Sequence, residues 1–154
     1  MTPLTSFSLR GEPPVRDEPV GSLLQEGRET GVRVHAVCLE AQFHVPPDLF
    51  LLFFTDDCPY EERLQILLLG PRFQVLDGLS LSWPYTPGLL GHLHPEGERR
   101  LRFEFFSERP LRVSVLPESV FHVFRRLPFF ASPRRGRFFS RHHLTLEEVP
   151  AGGS

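Results

Sequence analysis

The chain has 154 residues, 40% hydrophobic and 23% charged, and its 17 basic and 19 acidic residues leave a formal net charge of −2. Those proportions fit one globular domain and exclude a disordered or low-complexity chain, because glycine (12) and proline (16) stay below the range of such sequences. No apolar run approaches the roughly 18 residues of a membrane span, and MTPLTSFSLRGEPPVRDEP lacks the apolar stretch of a secretory signal, so a soluble, cytoplasmic protein without a membrane role is expected.

All 17 basic residues are arginine, lysine and asparagine are absent, and isoleucine occurs once, at Ile66. Codon bias in a GC-rich genome accounts for this and suggests a bacterial-type protein. The charge is unevenly distributed. Residues 1–120 carry 11 arginines against 17 acids, residues 121–143 carry 6 arginines and no acid, and residues 144–154 carry 2 acids. The near-neutral total therefore conceals a dipolar chain.

Residues 1–30, with Pro3, Pro13, Pro14 and Pro19, read as an extended N-terminal arm, with one or two helical turns at most over Ser22 to Arg28. Residues 31–149 read as a single β-sandwich domain and 150–154 as a flexible tail. From Gly31, Val32, Val34, Ala36 and Cys38 alternate, and the alternation resumes with Ala41, Phe43 and Val45 after a one-residue slip near Glu40, the pattern of a β-bulge. Pro46-Pro47-Asp48 forms a turn. Leu49 to Phe54 (LFLLFF) is apolar on both faces and suits a central strand covered twice. A second apolar strand, Leu64 to Leu69, is expected to pair with it. Phe73, Val75, Leu79 and Leu81 predict a further strand broken at Asp77-Gly78. Trp83-Pro84-Tyr85-Thr86-Pro87-Gly88 is a loop, since two prolines remove ladder donors.

Leu89 to His94 and Arg99 to Phe106 predict a hairpin with Leu101, Phe103 and Phe105 on its core face. Leu111, Val113 and Val115 make another strand. Val120, Val123, Phe124 and Leu127 then follow a helical period, with Pro117-Glu118-Ser119 as its start and Pro128 as its stop. A last strand is expected from Arg137 to Leu146. The fold class is all-β: a two-layer antiparallel β-sandwich, or an open barrel, with one short C-terminal helix.

Hydrolase, phosphate-loop and dinucleotide motifs are absent, so a non-catalytic interaction module is the leading expectation, with no cofactor. Three regions could carry recognition. Trp83 and Tyr85 sit in a proline-stiffened loop suited to anchoring a protein partner or a second copy. Asp56, Asp57, Glu61 and Glu62 form an acidic turn that could dock a basic surface or hold a hard cation. Arg125, Arg126, Arg134, Arg135, Arg137 and Arg141, interleaved with phenylalanines, would serve a polyanion such as nucleic acid. The alternative there is that the arginines cover the acidic body. Finally, His92-Leu93-His94 with Glu98 resembles the first metal motif of the cupins, which implies a metal-dependent enzyme on a jelly roll. Thr86 and Phe105 stand where that motif has glycine, and a solvated hairpin face explains the same residues.

Overall fold

The computed structural model describes residues 1–56, 62–86, 88–106, 109–121, 126–133 and 141–150. The expected arm is the first departure from the sequence reading. Residues 7–34 fold as a three-stranded antiparallel meander of β2 (Phe7–Val15), β3 (Glu18–Gln25) and β4 (Arg28–Val34), preceded by the two-residue β1 (Thr2–Pro3). Both hairpin turns have two residues at positive φ, Arg16 and Asp17 at 51° and 64°, then Glu26 and Gly27 at 51° and 79°. This is the primed-turn geometry whose twist matches antiparallel strands. The helical turns expected over Ser22 to Arg28 are replaced by the second of these hairpins. The prolines that suggested an arm are tolerated because β2 is an edge strand and Pro13-Pro14 falls at its register shift, where no ladder donor is required.

The six-stranded central sheet has the order β1, β5 (Cys38–Val45), β6 (Leu49–Thr55), β7 (Leu64–Leu69), β8 (Val75–Leu81) and β12 (Ala131–Pro133). The register of β5 against β6 shifts between Leu39 and Ala41, which puts the bulge at Glu40 as the phase slip predicted. The Glu40 carboxylate accepts a bond from Thr55 Oγ1 at 2.6 Å. Strand β8 is not broken at Asp77-Gly78. It runs through them because both are buried and the Asp77 carboxylate is used elsewhere in the core.

A four-stranded sheet follows, in the order β13 (Arg141–Glu148), β11 (Leu111–Phe121), β10 (Arg100–Glu104) and β9 (Gly91–Pro95). The segment expected to begin a helix at Pro117 instead continues β11 to Phe121, with the register shifted between Val115 and Val120. The shift falls where the alternation of Leu111, Val113 and Val115 ends. Residues 122–125 lie outside the described residues, among which there is no helix and hence none long and apolar enough to cross a membrane. The chain is therefore all-β, with three antiparallel sheets, none of them closed.

Two apolar cores explain the order of the layers. Phe43, Leu51, Phe53, Ile66 and Leu79 of the central sheet meet Leu101, Phe103, Val113 and Leu144 of the four-stranded sheet. On the opposite face, Leu52, Phe54, Leu67 and Leu69 meet Phe7, Leu23, Val32 and Val34 of the meander. The LFLLFF run is thus covered twice, as its composition requires.

A polar side chain of the central sheet pins each cover. Gln42 accepts from the Phe7 amide at 2.8 Å and donates to the Phe7 carbonyl at 3.0 Å, completing one backbone unit of β2. Asp77 accepts from the amides of His143 and Leu144 at 2.7 and 2.9 Å, at the point where β13 leaves regular pairing with β11. Removing that carboxylate leaves interior donors without a partner, at about 1–3 kcal/mol each. Asp77→Ala is expected to lower unfolding stability by about 2–4 kcal/mol and Asp77→Asn, which keeps one acceptor, by about half as much, in urea denaturation. Equal and small losses in both variants would contradict the role given to Asp77.

Candidate functional site

The loop after β8 is held against the end of the core by aromatic packing. Trp83 is half-buried and lies parallel to Phe130, at 7° and 6.4 Å between centroids. It meets Phe106 and Phe129 edge-on at 5.9 and 5.0 Å. Such edge-on pairs suit the opposed charge of ring faces and edges. A turn closed by Thr86 N–H donating to the Trp83 carbonyl at 3.1 Å carries Tyr85 at a positive φ of 56°. The chain then returns with Leu89 N–H donating to the Phe105 carbonyl at 3.0 Å. Gly88 permits that return, because a Cβ there would come within 2.5 Å of the Phe105 ring.

This arrangement sorts the aromatic residues into a bed and a surface. Trp83, Phe105, Phe106 and Phe130 form the bed, while Tyr85, Leu89 and Phe129 stand 91%, 85% and 76% exposed at the same end. Of the two residues expected to anchor a partner, Trp83 is mainly support and Tyr85 is presented to solvent. Leu89 and Phe129 were not singled out from the sequence. Phe129 and Phe130 lie in a turn closed by Ala131 N–H donating to the Pro128 carbonyl at 2.9 Å, which leaves Phe130 buried and Phe129 exposed. Beside Phe129 lies a cavity of about 470 Å³ floored by Leu127 and Leu146 and walled by Arg109, Arg126, Glu147 and Glu148.

The other candidate groups are not brought together. Asp56 turns back on its own chain, accepting from the Arg63 amide at 3.0 Å and lying 3.5 Å from Arg63 Nε. Glu62 is half-buried, and Asp57 and Glu61 lie outside the described residues. Arg126 and Arg141 are exposed, while Arg125, Arg134, Arg135 and Arg137 lie outside the described residues, as does Cys58. His92 and His94 are exposed on the outer face of the hairpin, and His92, at a positive φ of 51°, pairs with Glu104 at 2.7 Å. Neither His94 nor Glu98 is drawn to it, and among the described residues no three His, Cys, Asp or Glu side chains gather as a metal site.

The outer face of the four-stranded sheet carries a charge network. Arg112 bonds Glu96 at 2.6 Å and Glu147 at 3.1 Å, and Arg109 lies 3.4 Å from Glu148. These arginines are matched by local carboxylates, the covering role considered for the more C-terminal arginines. Compared with known proteins, the chain matches no family model, no curated protein and no solved structure.

The hydrogen bond from Arg112 holds the Glu96 carboxyl below its ordinary value of 4.5. A carboxyl lowered in the folded state stabilises above its unfolded value and loses that contribution as pH falls through the folded one. Glu96→Gln is therefore expected to cost about 1 kcal/mol at neutral pH. The cost should shrink progressively as the pH falls below 4.5, read as paired urea midpoints across pH. A difference independent of pH would contradict the pairing.

Proposed function

We propose that the chain is a non-catalytic protein-interaction module of a cytoplasmic protein, a β-sandwich carrying an additional N-terminal sheet, which self-associates through its aromatic end. The observation that supports this reading is the exposure of Tyr85, Leu89 and Phe129 at one end of the molecule, with Phe129 set against Trp83 and Phe130. Single exposed apolar residues are ordinary, whereas three large ones at one end form a candidate contact patch. Tyrosine and phenylalanine lose little side-chain freedom on contact, so the ordering cost is small.

A second copy is the favoured occupant because the rim beside the patch carries both charges, Arg109 and Arg126 with Glu147 and Glu148. A rim of mixed sign is self-complementary under a two-fold axis, where each arginine can face a glutamate of the other copy. Burying three such side chains supplies roughly 5–9 kcal/mol per copy. Association costs are of the same order, so a reversible dimer is the expected state.

Sedimentation velocity across the soluble concentration range tests the proposal. The native protein is expected to move from monomer to dimer. The double substitution Tyr85→Ser, Phe129→Ser should remain monomeric while keeping the native circular-dichroism spectrum, since both side chains are largely exposed. A native protein that stays monomeric throughout, or a double variant that still dimerises, would overturn it.

A further inference from the structure

Beside the exposed Phe129 the aromatic end carries a hollow as well as a projection. The cavity of about 470 Å³ has an apolar floor of Leu127, Pro128 and Leu146, and its rim is charged. Leu127 and Pro128 are half-buried and Leu146 is a core residue, so the floor is an edge of the larger core itself. The ring of Phe129 borders this hollow but rests edge-on against Trp83 and Phe130, at 5.0 and 5.5 Å, which keeps it outside. Knob and hole therefore adjoin on one chain.

The rim charges are not equivalent. Arg109 lies 3.4 Å from Glu148, and Arg112 bonds Glu147 at 3.1 Å. Arg112 is already held by Glu96 through two of its nitrogens, at 2.6 and 3.4 Å, so its contact with the 61% exposed Glu147 is the most easily given up. Arg126 is exposed and makes no ion pair among the described residues. A cation without a partner and a carboxylate whose partner is already satisfied thus stand on the same rim.

A two-fold axis passing between knob and hole brings each projection over the other copy's hollow, because an isologous contact makes every pairing twice. We propose that, in the dimer inferred above and resting on that reading, Phe129 of each copy seats on the Leu127, Pro128 and Leu146 floor of the other, while Arg126 pairs across the axis with Glu147. An aromatic side chain in a pocket from which water is excluded is the usual centre of such a contact. The flanking charges set the orientation, because arrangements that bring arginine against arginine are strongly disfavoured.

Two measurements test it. In sedimentation equilibrium, Arg126→Glu and Glu147→Arg alone are each expected to weaken dimerisation about tenfold or more, and the two together to restore it to within about threefold of the native value. Both residues are exposed, and an unchanged circular-dichroism spectrum keeps the comparison valid. For the seat of the ring, a Phe129→Ala copy with labelled leucine methyls is mixed with unlabelled native protein. The methyl signals of Leu127 and Leu146 are expected to move upfield, as they would under the face of a ring supplied by the other copy. They should stay in place when the unlabelled protein is also Phe129→Ala. A native protein that dimerises without the charge restoration, or without the methyl shift, overturns the proposal and leaves the dimer standing. A native protein that never dimerises overturns both.

Discussion

The hairpin of β6 and β7 has no polar face, and the rest of the molecule is arranged around that constraint. Every residue from Leu51 to Thr55 and from Ile66 to Leu69 is buried, and the alternate residues of each strand enter different cores. A sheet with such strands at its centre must be covered on both sides, at roughly 1.5–3 kcal/mol for each large side chain removed from water. The chain supplies one cover before the central sheet and one after it. The covers differ in width, three strands on one side and four on the other, and the end of the larger core is closed by aromatic rings, some of which remain outside.

Apolar contact is non-directional, so packing alone does not decide how either cover sits. Gln42 and Asp77 supply direction. Gln42 reproduces the hydrogen bonding of a peptide group toward Phe7, and Asp77 gathers two successive amides of β13. In surroundings of low polarity such bonds are costly to leave unmade, which penalises alternative placements of the sheets. The amide pair is available because β13 is irregular opposite the register shift of β11, so the strand distortion and the buried acid belong to one feature.

Much of this was legible wherever burial sets the pattern. LFLLFF announced a doubly covered strand, and the slip at Glu40 announced a bulge. Leu101, Phe103 and Phe105 marked the core face of their hairpin, and all three are buried. The N-terminal meander was hidden because prolines dominate local composition, yet an edge strand and a bulge tolerate them. Its turns use Arg16-Asp17 and Glu26-Gly27, of which only the glycine is a strong turn signal. Asp77 looked like a strand breaker because its partners are 66 and 67 residues away, a distance over which local pattern carries no information. At the candidate surface, Trp83 and Tyr85 were found from residue type. Their division into support and contact depends on Phe106, Phe129 and Phe130, which only the fold brings to that loop.

The double cover is tested most directly by native-state amide hydrogen exchange. If both faces of the central hairpin are sealed, the amides of Leu51 to Phe54 and Ile66 to Leu69 should exchange only through global unfolding and share the highest protection in the chain. Edge strands β2 and β9 should open at lower free energy. Protection in β6 and β7 no greater than in those edge strands would contradict the account, because it would mean that one face of the central sheet is open to water.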